Sequence, residues 1–192
     1  EINPAYPETR LVLGEAYHIY GLEVREGKYL SRISPEKREI FANSMREAKK
    51  QFEYAVAINP NYYRGYIRLI ETYPENGLIG LAEESFKRAC KIRPDTPLPY
   101  FALSKFYKYG YANNPRKGYT ILKEAIKKFP ENPITYFRYI DLLYWEISMK
   151  KYGHPIHVNT KWAIKEIKSV RKKGYQVLEK MIEKNPENTW NY

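Results

Sequence analysis

The sequence predicts an all-α fold made of repeated helix pairs, and its clearest signal is a recurring segment that ends in proline. Four such segments end at Pro60, Pro94, Pro130 and Pro186, so that successive prolines are 34, 36 and 56 residues apart. Self-similarity at an interval near 34 residues is typical of helical repeat arrays. The composition fits a folded chain, because 43% of the 192 residues are hydrophobic and 16% are aromatic.

Each of these segments reads as the second helix of a pair. The positions 12, 8 and 5 residues before each proline lie on one helical face, because they are spaced by four and three residues. A bulky residue stands between small ones, which lets a neighbouring helix approach closely, and the proline then ends the helix. These positions are Ala48, Phe52 and Ala55; Ala82, Phe86 and Ala89; Gly118, Leu122 and Ala125; and Gly174, Leu178 and Met181.

A first helix precedes each second helix, with leucine, isoleucine and tyrosine on its packing face. A tyrosine also follows each proline by six residues, at positions 66, 100, 136 and 192. The predicted packing residues are Leu13, Gly14 and Tyr17; Tyr66, Leu69, Ile70 and Tyr73; Tyr100, Leu103, Ser104 and Tyr107; and Tyr136, Tyr139, Ile140 and Leu143.

This pattern resembles the tetratricopeptide repeat (TPR) family, whose units read W-x2-L-G-x2-Y and then A-x3-F-x2-A-x4-P. Tyrosine, or Arg10 in the first unit, stands where the family prefers tryptophan. The resemblance implies an α-solenoid that forms a single domain over residues 1–192, and a helical bundle without repeats is the alternative. The units are approximately 8–61, 62–95, 96–131 and 132–187, and residues 188–192 begin a further helix or form a tail.

The first and last helix pairs are expected to be longer than the middle two. From Tyr73 to Ala82 is 9 residues, but the equivalent interval is 31 residues in the first unit and in the last. The added sequence is helical in character, since Ser34 can cap one helix and Thr160 another. Twenty-two additional residues shared by two helices lengthen each by about 16 Å. We therefore expect two tall pairs that flank two short ones, as in a cradle.

No enzyme signature stands out in the sequence. It contains no glycine-rich phosphate loop, nucleophile elbow or zinc-binding helix motif, so we expect no catalysis and no cofactor. A single cysteine, Cys90, excludes a disulfide framework. His154 and His157 are the only close histidines, and two ligands are too few for a zinc site. The best apolar run, residues 139–145, contains Asp141 and is far short of the ~18 residues that a membrane span needs.

The family resemblance implies that positions 2, 5, 9 and 12 of each first helix line a concave groove. Their mixture of aromatic and charged side chains suits an extended peptide or a partner helix. We therefore predict a non-enzymatic protein-interaction scaffold, acting as an adaptor or as a subunit of a larger assembly. The groove residues are Leu11, Glu15 and His18; Arg64, Ile67 and Glu71; Phe101, Lys105 and Lys108; and Ile134, Phe137, Asp141 and Tyr144.

The net charge of +11 leaves other kinds of partner open. A basic surface is expected on the last helix, either as a solvated face or as a docking site for an acidic partner or an anionic membrane. Nucleic-acid binding is a further alternative, since the chain is both basic and rich in tyrosine. The basic surface consists of Lys161, Lys165, Lys168, Arg171, Lys172 and Lys173.

A third alternative follows from the alternation of tall and short pairs, which resembles the T component of tripartite periplasmic transporters, the partner of a solute-binding protein. We expect a soluble protein, either exported after removal of a leader or cytoplasmic, because Glu1 rather than Met opens the sequence. The last residues begin a helix without a capping helix after it. From this we expect self-association, or another chain, to cover the C-terminal end.

Overall fold

The computed structural model describes residues 5–28, 30–108, 114–151 and 159–184. These ranges contain eight α-helices and two short 3-10 turns, and no strand occurs within them. The all-α prediction is therefore confirmed. The helices are α1 (Pro7–Arg25), α2 (Pro35–Ile58), α3 (Tyr63–Thr72), α4 (Ile79–Ile92), α5 (Leu98–Lys108), α6 (Pro115–Lys128), α7 (Pro133–Lys151) and α8 (Thr160–Lys184).

The lengths of the helices confirm that the first and last pairs are extended. Helices α1 and α2 have 19 and 24 residues, whereas α3 and α4 have 10 and 14. Helices α5 and α6 have 11 and 14 residues, and α7 and α8 have 19 and 25. Each long helix exceeds its short counterpart by about 12–17 Å at 1.5 Å per residue. The chain is therefore a helical repeat array with tall first and last pairs.

Side-chain caps fix the starts of several helices. The Ser34 hydroxyl accepts a hydrogen bond from the Lys37 backbone N–H at 3.3 Å, so this residue caps α2 as the sequence predicts. The start of α8 differs by one residue, since Asn159 Oδ1 accepts from the Trp162 N–H at 3.0 Å. Asn159 therefore takes the role predicted for Thr160, which is instead the first residue of the helix.

The chain divides into two compact units, Glu1–Leu103 and Ser104–Tyr192, and the boundary falls within α5. In the first unit α1 runs antiparallel to α2, since Gly14 lies against Phe52 and Gly21 lies against Met45. Helix α2 also packs on α3, and α3 on α4. The assignment of residues 1–192 to a single domain stays a prediction.

The repeated small residues lie in the helix interfaces of both units. The alanines at positions 48, 55, 82, 89 and 125 have no exposed surface, and Phe52 and Leu122 are buried between them. Phe86, Leu178 and Met181 are half-buried, and the edge of Phe86 meets the ring of Tyr100 at a centroid distance of 5.0 Å. The matching offsets in the sequence thus mark the seams along which helices pack.

The prediction of which α1 residues pack against other helices is wrong at two positions. Leu13 and Tyr17 are exposed, and the residues of α1 that are buried are Leu11, Gly14 and Gly21. In the second pair the equivalent Tyr73 is buried and donates a hydrogen bond to Glu53 of α2, the helix that precedes it. Helix α1 is the first described helix, so no earlier helix within the described residues covers that face.

In the second unit α7 and α8 are antiparallel, because Gly174 lies against Tyr136 while Glu166 accepts a hydrogen bond from Tyr139. Helix α6 packs on α7. Gly118 of α6 meets both Leu142 of α7 and Tyr107 of α5, each 3.3 Å from the place of its missing Cβ. Tyr139, Leu142 and Leu143 form the fully buried centre of this unit.

The tyrosine that follows each proline by six residues has a specific partner. The Tyr66 hydroxyl donates to the Pro60 carbonyl at 3.3 Å, and the Tyr136 hydroxyl donates to the Pro130 carbonyl at 2.9 Å. A carbonyl just beyond the end of a helix has no partner within that helix. The repeated tyrosine therefore ties each of these first helices to the turn before it.

Three other tyrosines donate to glutamates of a neighbouring helix. Burial raises the pKa of Tyr73, Tyr119 and Tyr139, and the adjacent carboxylate raises each further. Both effects favour the protonated hydroxyl, which is the form that donates to the carboxylate. The pairs are Tyr73–Glu53 at 3.1 Å, Tyr119–Glu146 at 2.8 Å and Tyr139–Glu166 at 3.2 Å.

The seam between α1 and α2 leads to a first prediction. A Cβ at Gly14 would lie 2.5 Å from Cε1 of Phe52, whose ring is fully buried. We expect Gly14→Ala to lower the free energy of unfolding by about 1–2 kcal/mol, because overpacking outweighs the better helix propensity of alanine. Gly80→Ala is the control, since open space surrounds Gly80 on α4. Urea unfolding measures both, and a Gly14→Ala protein as stable as wild type would contradict the close approach.

The buried tyrosine–glutamate pairs lead to a second prediction. Glu146 is only 2% exposed, so Tyr119→Phe removes a donor from a carboxylate that water does not reach. We expect the free energy of unfolding to fall by about 1–3 kcal/mol. Tyr66→Phe removes a longer hydrogen bond from a half-buried hydroxyl and should cost less than about 1 kcal/mol. Equal losses in the two variants, measured by thermal or urea unfolding, would count against this assignment.

Candidate partner-binding surfaces

Two predicted groove residues, one on α1 and one on α3, meet around Arg68. Arg68 itself was not among the predicted residues. Its guanidinium donates from Nε to Glu15 Oε1 at 2.9 Å and from Nη1 to Glu71 Oε2, also at 2.9 Å. Nη2 lies 2.8 Å from the same oxygen of Glu15. Since Glu15 is on α1 and the other two are on α3, the planar fork of the arginine joins the two helices. All three side chains are partly exposed.

The two carboxylates of this cluster stabilise the charged form of Arg68. Burial lowers the pKa of the Arg68 guanidinium, but the two carboxylates outweigh that effect and the pKa is raised above its ordinary value. The nearby Tyr62 hydroxyl has a raised pKa, mainly because it is partly buried. Glu8 and Glu15 raise this pKa further, and Arg64 lowers it. These charges therefore lie within reach of one another along α1 and the start of α3.

The other groove residues predicted in the first unit differ in exposure. Arg64 is exposed, and His18, Ile67 and Phe101 are half-buried. The prediction for Leu11 is wrong, because this side chain is 2% exposed. Leu11 lies three residues before Gly14, on the face of α1 that contacts α2 through Gly14 and Gly21. It therefore packs between α1 and α2 instead of lining a groove.

An apolar strip that the sequence analysis did not predict borders the cluster on α1. Val12 is 65% exposed and Ile19 is 55% exposed. They lie three residues before and four residues after Glu15, so all three occupy one strip of the helix surface. The signal was present in the sequence, because apolar residues fall on all sides of α1 and a single neighbouring helix cannot cover them all. An exposed apolar surface beside fixed charges is typical of protein-binding sites.

In the second unit Ile134, Asp141 and Tyr144 are exposed along one face of α7, as their spacing predicts. Phe137 lies on the same face but is half-buried, because its ring meets the edge of Tyr175 of α8 at a centroid distance of 5.6 Å. Phe137 therefore helps to hold α7 and α8 together. Tyr175, which sequence reasoning missed, is itself half exposed and extends this aromatic surface. Lys105 is exposed, and the side chain of Lys108 lies outside the described residues.

The predicted basic residues lie on α8 in the second unit. All six are exposed. The spacing of Lys161, Lys165, Lys168 and Lys172 places them in one line along the helix. Arg171 and Lys173 lie on either side of that line.

The remaining features of the sequence are the histidines, Cys90 and the C-terminal segment. Within them no group of three or more histidine, cysteine or acidic side chains could hold a metal ion. His154 and His157 lie outside the described residues, as does the segment 185–192 on which self-association was predicted. Cys90 is half-buried. None of the described helices combines the length and the apolar character that crossing a bilayer requires.

The arginine cluster leads to a third prediction. In a double-mutant cycle of Glu15→Gln and Arg68→Met, we expect a coupling free energy of about 1 kcal/mol, because the contact is forked and half-buried. The exposed pair Glu47–Lys50, at 3.9 Å on one helix, is the control and should couple by less than about 0.5 kcal/mol. Urea unfolding of the single and double variants gives both values. Equal coupling in the two pairs would mean that Arg68 does not join α1 to α3.

Comparisons with known proteins add little to these observations. No protein-family model matches the sequence, and no curated protein matches it. A solved structure titled "MamA MSR-1 C2" is similar to the chain with a TM-score of 0.44 and 13% sequence identity, over 94% of this chain and 99% of that one. At that level of similarity the description of the fold rests on the helices themselves.

Proposed function

We propose that this chain is a non-enzymatic protein-interaction module that binds a segment of a partner protein across α1 and α3. The observation that carries the proposal is the exposed pair Val12 and Ile19 beside the half-buried cluster of Glu15, Arg68 and Glu71. Apolar side chains supply the binding energy of such interfaces, and buried polar groups set their specificity.

The chemistry of the surface indicates what the partner segment contains. Val12 and Ile19 can contact apolar side chains of the partner, because both are more than half exposed. Apart from Glu15 itself, no charged residue lies between them on this strip of α1. The partly exposed carboxylate of Glu15 suits a basic side chain or a backbone N–H of the partner. Because Arg68 already holds both carboxylates in place, the partner loses little free energy in ordering them. The partner segment is therefore amphipathic, with apolar residues next to a cation.

The second unit presents an analogous surface on α7, where Ile134, Asp141 and Tyr144 are exposed in one line. Exposed tyrosine is enriched in protein interfaces, because its ring is apolar and its hydroxyl stays hydrogen-bonded. We propose that the partner, or a second segment of it, uses this surface too. The adaptor role within a larger assembly follows from two binding surfaces on one chain.

The fourth prediction tests the surface on α1. Val12→Asp/Ile19→Asp places two charges where the partner's apolar residues would pack, and folding should survive because both positions are open to water. The affinity-tagged chain is cross-linked in its native source, and captured proteins are quantified by mass spectrometry. We expect capture of the main partner to fall by about tenfold or more, as for loss of an interface hot spot.

The matched control changes two aliphatic side chains that are also exposed but lie on second helices. Ile58→Asp/Leu81→Asp adds the same charge on α2 and α4 and should leave capture within about twofold of wild type. Equal capture by the wild type and the Val12→Asp/Ile19→Asp chain would reject the α1–α3 surface. If the wild-type chain enriches no protein over the bare resin, the proposed function itself is wrong.

A further inference from the structure

The outer face of α8 carries a line of four lysines. Lys161, Lys165, Lys168 and Lys172 follow one another at intervals of four, three and four residues, so they share one strip of the helix. The line is about 17 Å long at 1.5 Å per residue. All four side chains are exposed, and within the described residues none of them forms an ion pair.

The charge of this face is not balanced by the acidic residues of the same helix. Residues 160–184 contain eight cations and three glutamates, so α8 holds five of the eleven net positive charges of the chain. Glu166 faces inward, where it accepts from Tyr139 and pairs with Lys123 at 3.5 Å. Glu179 and Glu183 come after the last lysine of the line. The first half of the outer face is therefore purely cationic.

The lysine line has no role in holding α8 in place. Lysines four residues apart repel each other and weaken a helix, as Lys161–Lys165 and Lys168–Lys172 must do here. The helix is held instead by its opposite face, where Ala163, Ile167 and Gly174 are buried. A line of like charges that costs the helix stability is relieved by a surface of opposite charge.

Apolar side chains adjoin the lysines on the next strip of the same helix. Ile164 is 45% exposed, Tyr175 is 51% exposed, and Ile182 is also open to water. Arg171 lies between them on this strip. Isoleucine gains nothing from a phosphate backbone in water, but at a bilayer surface it enters the boundary between headgroups and acyl chains. Tyrosine is favoured at the same depth.

We propose that the outer face of α8 binds the surface of a lipid bilayer that contains anionic headgroups. The four lysines and Arg171 contact the headgroups, while Ile164 and Tyr175 enter the boundary layer. Clusters of four to eight basic residues on an amphipathic helix are typical of this recognition. The choice of lysine over arginine also fits mobile headgroups better than the fixed, forked contacts of a nucleic-acid backbone.

The fifth prediction tests this binding with the full chain and two kinds of vesicle. One is pure phosphatidylcholine, and the other contains about a third phosphatidylglycerol. By co-sedimentation we expect binding to the anionic vesicles alone, and weaker binding at higher salt because the charges are exposed. Each basic residue near such a surface contributes about fivefold to the binding constant. Lys168→Glu/Lys172→Glu should therefore lower the affinity by about thirtyfold or more.

A matched control separates this site from the general charge of the protein. Lys87 and Lys91 are exposed, lie four residues apart on α4, and give the same change in net charge when both become glutamate. Lys87→Glu/Lys91→Glu should lower the affinity for anionic vesicles by less than about threefold. Circular dichroism checks the fold of each variant, and Lys168→Gln/Lys172→Gln replaces the charge reversal if that protein unfolds.

A third variant distinguishes insertion from attraction between charges. Ile164→Gln keeps every charge and should still lower the affinity for anionic vesicles by about threefold to tenfold. The proposal is overturned if wild type does not bind the anionic vesicles, if the two charge-reversal pairs lose affinity equally, or if Ile164→Gln has no effect. It is also overturned if the full chain binds polyuridine RNA but not the anionic vesicles, and if Lys168→Glu/Lys172→Glu abolishes the RNA binding.

Discussion

The close approach of paired helices at glycine is the constraint on which the rest of the structure depends. At Gly14 the ring of Phe52 occupies the space that a side chain would need, and at Gly174 the Cβ of Tyr136 lies 3.0 Å from the place of the missing Cβ. A shift of one residue along either helix would bring a side chain against these groups. The glycines therefore fix the register of the pair as well as its spacing. The fork of Arg68 adds a polar contact between α1 and α3 to this framework.

Several of the tyrosines are explained by the same geometry, because a tyrosine can fill an apolar seam and still place a hydroxyl at its rim. Tyr66 and Tyr136 use that hydroxyl to satisfy the carbonyl of the preceding turn. Tyr119 uses it to satisfy the buried carboxylate of Glu146. A phenylalanine at these positions would fill the same volume but leave an acceptor without this donor. These three tyrosines therefore serve the packing of the helices, and their presence in the sequence is no sign of a ligand.

The fold could be predicted from the sequence because its signals are local. Periodic small residues, a capping serine and the intervals between helices determine the helix lengths whatever lies around them. The candidate site could be predicted only in part. Tyr17 is exposed because burial depends on which helix is present beside α1, and the spacing of residues within α1 contains no such information. Arg68 was missed because its importance comes from Glu15, which lies 53 residues away in the sequence. Phe137 lies on the predicted face, but its ring packs against Tyr175. Tyr175 is not one of the repeated positions, so the repeat pattern does not predict this contact.

The paired helices touch along narrow strips of glycine and alanine. This explains how the outer surfaces of α1 and α8 can differ so much within one fold. A helix held by glycine and alanine uses a small part of its circumference for packing, so most of its surface faces water. On α1 that surface is apolar, with Val12 and Ile19 open beside a charged cluster, and on α8 it is a line of lysines. Neither composition contributes to the seam, and exposed isoleucine or adjacent lysines would be disfavoured if stability alone determined the sequence. The outer residues are therefore not constrained by packing, and their contrast is the reason why we propose partners of different chemistry for α1 and α8.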